Sequence, residues 1–102
     1  MSSEGRRRSR YARAPGVLWR RVADEILVLA PAAEDPAVLS AAAAVVWEEL
    51  ETSPLMTELT GSLALAFGRD PDAMRADVER ILTDLERLGL VVEEDPSEFV
   101  DA

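Results

Sequence analysis

The strongest hydrophobic pattern in the chain is a stripe near its C-terminal end. Apolar residues recur there at spacings of three and four over four helical turns, at Met74, Val78, Ile81, Leu82, Leu85 and Leu88. Asp70-Pro71 precedes the stripe and Gly89 follows it, which is typical of a capped helix that begins with proline and ends at glycine. The pattern predicts an amphipathic helix between these signals.

Two further helices are predicted upstream. Ser40 is a suitable N-cap, and the apolar stripe behind it ends near Glu51; the stripe consists of Leu39, Ala43, Val46, Trp47 and Leu50. The next helix is expected to begin with Pro54 at its first position and to end at a left-handed Gly68. Its predicted buried face is Met56, Leu59, Leu63 and Phe67.

The N-terminal third of the chain reads as strands. Residues 17–22 and 26–29 are rich in β-branched and aromatic residues and predict a hairpin around Ala-Asp-Glu. A linker from Pro31 to Pro36 then leaves room for a brief third strand over Ala37, Val38 and Leu39. Strands followed by helices, in separate blocks, predict an α+β domain.

Composition narrows the possible chemistry. The 102 residues fit one domain, and neither cysteine nor histidine is present, so thiolate or imidazole catalysis, Cys/His zinc sites and disulfides are excluded. The acidic groups near Glu49 and Glu93 are interpreted as solvated surface charges, and no phosphate-binding glycine motif occurs. We expect a protein that is not an enzyme and that uses no cofactor or metal.

The net charge of −9 conceals an asymmetry. Residues 1–21 hold seven arginines and one acid, a balance of +6, whereas the other 81 residues hold four arginines and nineteen acids, a balance of −15. We expect a flexible arginine-rich tail over residues 1–14, a folded domain over 15–93 and an acidic tail over 94–102. No stretch has the length and apolarity of a membrane span or secretory signal, so the expected location is cytoplasmic.

Two features could form a binding site. Asp77 and Asp84 flank one side of the last helical stripe, either as its solvated edge or as the rim of a groove. A short third strand beside this helix can leave an open sheet edge to which a peptide adds as another strand. Trp47 is expected in the core, whereas Trp19 could pack inward or anchor a partner.

The order of these motifs resembles a known family. The hairpin, the segment LSAAAAVVWEEL, the helix end LALAFG and the segment RADVERILTDLERLGLV are similar to the PqqD family of coenzyme PQQ synthesis proteins. Its fold is also known as the recognition element for ribosomally made, post-translationally modified peptides (RiPPs). The resemblance covers roughly residues 15–93, most of the chain.

The resemblance implies a fold and a function. The fold would be winged helix-turn-helix-like, with an N-terminal three-stranded antiparallel sheet followed by three helices. The function would be non-catalytic binding of a precursor's leader peptide, added as a strand and presented to a radical-SAM maturase, a leader peptidase or another tailoring enzyme. The implied peptide-binding residues are Ala37, Val38, Leu39, Met74, Asp77, Val78, Ile81, Asp84 and Leu85.

The chain also departs from the family pattern. Ser40 stands where asparagine is common, and Ala-Asp-Glu replaces the usual Asp-Gly turn. Pro36 lies at the approach to the third strand and removes one N–H from the edge that a leader would need. The groove is expected to be acidic, which further predicts a leader with basic or neutral flanks around apolar anchors.

Alternative functions share the same elements. A winged-helix DNA-binding protein or transcriptional adaptor would place the third helix in the major groove, but residues 70–87 carry six acids and three arginines. Nucleic acid binding is therefore not expected unless the N-terminal arginines provide it. A small regulatory protein-interaction subunit is the other alternative.

Overall fold

The computed structural model describes residues 9–94, which form five strands and three helices. In chain order the elements are β1 (Arg10–Arg13), β2 (Leu18–Val22), β3 (Glu25–Leu29), β4 (Ala37–Val38), α1 (Ala41–Glu49), α2 (Met56–Phe67), α3 (Pro71–Arg87) and β5 (Val91–Glu94). A short 3₁₀ turn, Leu50–Thr52, continues α1. The α+β class and the three helices are confirmed.

Local capping explains where the helices begin and end. The Ser40 hydroxyl accepts from the Ala43 N–H at 3.1 Å, and the Asp70 carboxylate accepts from the Asp72 N–H at 3.0 Å. Gly68 ends α2 with a φ of 64°, as predicted. The predicted start of α2 at Pro54 is wrong, because Leu55 is the N-cap and its N–H donates to the Glu58 carboxylate at 2.8 Å.

The predicted strands form one antiparallel sheet in the order β2-β3-β4. Val22 pairs with Glu25, so the hairpin turn contains only Ala23 and Asp24, rather than Ala-Asp-Glu. Ala23 has a φ of 58°, a conformation that glycine usually supplies at the first central residue of such turns. The local sequence therefore specifies the hairpin without the usual turn glycine.

A second sheet was not predicted. β1 pairs antiparallel with β5, with Arg10 opposite Glu94 and Arg13 opposite Val91. Tyr11 is fully buried, and its N–H donates to the Pro54 carbonyl at 3.0 Å. The expectation of a flexible tail over residues 1–14 is therefore wrong for residues 10–13, which are held by backbone pairing and a buried aromatic ring. Residues 1–8 and 95–102 of the predicted tails lie outside the described residues.

The core lies between the three-stranded sheet, the two-stranded β1–β5 sheet and the three helices. Its largest fully buried side chains include Tyr11, Ile26, Trp47, Leu50, Leu59, Leu63 and Leu82. The predicted burial of Phe67 and Leu88 is wrong, since they are 42% and 57% exposed. Phe67 is the last residue of α2 and Leu88 is the C-cap of α3, so in both helices the apolar stripe extends past the core. Across residues 9–94, no helix combines the length and apolar character needed to cross a bilayer.

Candidate functional site

The β4 strand lies at an open edge of the three-stranded sheet. Among the strands within residues 9–94, only β3 pairs with it. The Leu39 N–H donates to the Ile26 carbonyl at 3.0 Å, so Leu39 directs its backbone towards β3. Because backbone direction alternates along an antiparallel ladder, the N–H and carbonyl of Val38 point away from β3. These groups are available to another strand.

Pro36 limits what this edge can offer. The same alternation puts Pro36 on the outward side, two residues before Val38. Proline has a carbonyl acceptor but no N–H donor. The outward edge at these two positions therefore provides two acceptors and a single donor.

The chain passes from β4 through Leu39 and Ser40 into α1, and a groove lies between the start of α1 and α3. It has a volume of about 320 Å³ and is lined by Ala42, Phe67, Arg69, Met74, Asp77, Arg80 and Ile81; we call it the α1–α3 groove. Towards the other end of α3, Ala37 of β4 lines a smaller cavity with Leu88 and Leu90. The first turn of α1 therefore lies beside α3, and Ala37 of β4 lies beside the segment that follows α3.

The charges of the α1–α3 groove are mixed. Its lining contains two arginines, Arg69 and Arg80, and one acid, Asp77. The Asp77 carboxylate accepts from the Arg80 guanidinium at 3.0 Å, in a pair exposed enough to contribute little stability. The prediction of an acidic groove is therefore wrong for the lining residues, and a preference for basic leaders does not follow from them.

Behind the sheet, Arg13 of β1 lies close to two tryptophan rings. Its guanidinium carbon is 4.7 Å from the ring centre of Trp19 and 4.9 Å from that of Trp47. Its Nε and Nη2 both donate to the Trp47 carbonyl, at 3.1 and 2.7 Å. Burial lowers the pKa of Arg13 below its ordinary value, and the nearby charge of Glu51 opposes this shift. Trp19 thus contacts Trp47 and Arg13 on the helix side of the sheet but remains 41% exposed, and the cluster connects β1, β2 and α1.

Comparison with known proteins identifies the family. The family model for coenzyme PQQ synthesis protein D (PqqD) matches residues 25–91, about two thirds of the chain. The chain belongs to the PqqD family. No curated protein and no solved structure gives a significant match.

Membership in the PqqD family has general functional consequences. It associates the chain with the biosynthesis of coenzyme PQQ and of related peptide-derived products. Proteins of this family are accessory proteins that work with biosynthetic enzymes, which supports an enzyme as a partner in general terms. The matched residues begin at β3 and end at β5, so they include both the β4 edge and the α1–α3 groove.

The residues implied by the PqqD resemblance occupy four environments: the groove, the core, the exposed surface outside the groove, and the β4 edge. Met74, Asp77 and Ile81 line the α1–α3 groove, although Met74 is only 3% exposed. Val78 and Leu85 lie in the core and do not line this groove, whereas Asp84 is exposed outside it. At the edge, Ala37 and Leu39 pack against the core and Val38 is exposed.

Several groove residues were missed in the sequence. Phe67 was interpreted as core because it continues the stripe of α2, and Arg69 follows the helix end at Gly68. Ala42 and Arg80 lie beside the predicted stripes, not on them. Arg69 follows a capping glycine and Arg80 lies on the polar flank of α3, and both positions can be read from the sequence. They can be assigned to a groove only when the packing of the helices is known.

Proposed function

We propose that this PqqD-family chain is a non-catalytic domain that binds the leader segment of a ribosomally made precursor peptide and presents it to a modifying enzyme. The leader would add to β4 as a further antiparallel or parallel strand. The observation that carries this proposal is the open β4 edge, which leads within four residues to Ala42 of the α1–α3 groove.

The edge would supply the affinity common to all leaders. A strand alongside β4 would accept from the Val38 N–H and donate to the carbonyls of Val38 and Pro36. Such backbone bonds fix the direction and register of a peptide without reading its side chains. A donor-poor edge such as this one makes side-chain contacts more important for binding.

The groove would supply specificity. Side chains alternate across a strand, so every second leader residue would face α3. The apolar parts of Phe67, Met74 and Ile81 suit an aliphatic or aromatic anchor. Arg69, which has no ion-pair partner among residues 9–94, favours a leader with a carboxylate next to this anchor.

The experiment is a fluorescence-polarisation titration of labelled leader segments from precursors encoded beside the gene. Val38→Pro removes the outward N–H, whereas the matched Val38→Ala keeps it and shortens only the side chain. Ile81→Asp places a charge in the groove, and Leu65→Asp is its control at a position that is 86% exposed. Folding of every variant is checked by circular dichroism.

We expect Val38→Pro and Ile81→Asp to weaken leader binding by about tenfold or more, which corresponds to roughly 1.4 kcal/mol. Val38→Ala and Leu65→Asp should stay close to wild type. Equal binding by all folded variants would contradict the proposal. A gel shift with genomic DNA at low salt tests the DNA-binding alternative, and a complex there without leader binding would favour that alternative.

A further inference from the structure

The face of the three-stranded sheet that points away from the helices is unusually apolar. The opposite face is identified by Trp19, which packs against Trp47, and by Arg21, which forms an ion pair with Glu48 of α1. Because side chains alternate, the other residues of each strand share the remaining face. We call this the outer face; it consists of Leu18, Arg20, Val22, Glu25, Leu27, Leu29 and Val38.

Exposure on the outer face differs from that of an ordinary solvated sheet. Leu18 is 67% exposed, Val38 56% and Val22 43%. A sheet with one face in water normally places polar residues on that face. Adjoining exposed apolar side chains on one surface are typical of an interaction site, whereas scattered ones are not.

The outer face also contains a depression. An open pocket of about 320 Å³ lies beside β3 and Pro36, just before β4 begins. It is lined by Leu18, Arg20, Leu27 and Leu29 of the outer face, by Pro36, and by Trp19 and Val28, which belong to the opposite face. Its side chains are apolar apart from Arg20. Pockets of this kind receive the large anchoring side chains that dominate protein interfaces.

Arg20 indicates the charge of the occupant. Within residues 9–94 it forms no ion pair, although this part of the chain holds sixteen acids and eight arginines. An exposed guanidinium without an ion pair on a largely apolar face can pair with a carboxylate supplied by a partner. A second copy of this chain is a less suitable occupant, because two molecules of net charge −9 repel each other.

We propose that the outer face docks the modifying enzyme, which would insert an apolar side chain into this pocket and place a neighbouring carboxylate on Arg20. The identity of the partner rests on the proposed function, but the surface is distinct from the α1–α3 groove. The Val38 side chain lies on the outer face while its backbone faces the open edge. A leader added at β4 would therefore extend the outer face, and the enzyme would contact the leader's outward side chains together with this chain.

The test measures two affinities on the same samples. The modifying enzyme encoded beside the gene is purified, and its binding to the full chain is followed by biolayer interferometry with and without leader. Leader binding is measured separately by fluorescence polarisation. The variants are Leu18→Asp and Arg20→Glu. The control for Leu18→Asp is Leu65→Asp, at an exposed position of α2, and the control for Arg20→Glu is Arg20→Lys, which keeps the positive charge.

We expect Leu18→Asp and Arg20→Glu to weaken enzyme binding by about tenfold or more and to change leader binding by less than about twofold. Arg20→Lys should retain most of the association rate, and Arg20→Glu should reduce the salt dependence. Leader should strengthen enzyme binding to the wild type.

Three results would overturn the proposal. The first is unchanged enzyme binding in both variants, and the second is no enzyme binding to the wild type. The third is a wild-type dimer in analytical ultracentrifugation that Arg20→Glu dissociates, which would assign the outer face to a second copy. Leader binding in the same samples separates these results from failure of the proposed function, which would appear as loss of leader binding in the wild type.

Discussion

The two sheets of this protein use their backbones in opposite ways. β1 pairs with β5 on one side and meets Pro54 and Leu55 on the other, through the Tyr11 N–H and a bridge from Arg10. β4 has β3 on one side and, within residues 9–94, no strand on the other. β1 is thus bonded on both sides, whereas β4 keeps an open edge and belongs to a sheet with an uncovered apolar face.

This difference separates stability from recognition. An enclosed strand with a fully buried tyrosine contributes to the folded state, and there is no free edge at β1 for a partner. An open edge contributes less to stability but can accept a new strand. We therefore expect substitutions in β1 to reduce the free energy of unfolding, and substitutions around β4 to change binding.

The largest expected effect is that of Tyr11→Ala. It removes a fully buried aromatic ring, which should reduce the free energy of unfolding by about 3–5 kcal/mol in urea denaturation. Leu65→Ala, at an exposed position of α2, should change the free energy of unfolding by less than about 0.5 kcal/mol. Leader affinity of the folded fraction should remain unchanged. A Tyr11→Ala loss below about 1 kcal/mol would mean that β1 lies outside the cooperative core.

A smaller loss is expected for Arg13→Ala. This change removes two hydrogen bonds to the Trp47 carbonyl and the contacts with both tryptophan rings, so we expect a loss of about 1–3 kcal/mol. Arg13→Lys keeps the positive charge but lacks the planar, forked guanidinium. Its free energy of unfolding should therefore lie between those of Arg13→Ala and the wild type. Urea denaturation followed by tryptophan fluorescence measures both. Equal stability of Arg13→Ala and wild type would show that the cluster is not a structural connection.

The same contrast explains what the sequence could predict. The hairpin, the three helices and the caps at Ser40 and Asp70 depend on residues close together in the chain, so their periodicity and end signals identify them. The β1 strand carries no such signal. Its sequence RYAR has one large apolar residue, and its partner β5 lies at the other end of the described chain.

The candidate site was only partly predictable for a related reason. The stripe of α3 contains both core and groove residues, and sequence spacing does not separate Val78, which is buried, from Ile81, which lines the groove. Phe67 continues the stripe of α2 but extends past the core. Which part of a stripe is covered depends on the length of the neighbouring helix, and this is a property of the tertiary packing.

Pro36→Ala tests how far the missing N–H at the open β4 edge limits leader binding. The substitution supplies the missing outward N–H beside Val38, and one added hydrogen bond of about 0.5–1.5 kcal/mol should tighten leader binding roughly 2–10-fold. Pro31→Ala is the control, because it changes a proline of the same loop that precedes Ala37 by six residues and is not part of the β3–β4 pairing. Fluorescence polarisation measures both variants. Weaker leader binding by a folded Pro36→Ala variant would mean that a leader does not use this part of the edge.

The smallest expected effect concerns the turn that joins β2 to β3. Ala23 has a φ of 58°, where a side chain is strained by roughly 1 kcal/mol and glycine is not. Ala23→Gly should relieve this strain, and the greater freedom of glycine in the unfolded chain should offset part of the gain. We expect a net stabilisation of about 0.5 kcal/mol in urea denaturation, with leader affinity unchanged. Asp24→Gly is the matched control, because Asp24 has no positive φ to relieve and should lose stability through the unfolded-state entropy alone. If both variants were destabilised equally, the strain at Ala23 would not contribute to the stability of the hairpin, and the three-stranded sheet would depend on its strand pairing and core contacts instead of its turn.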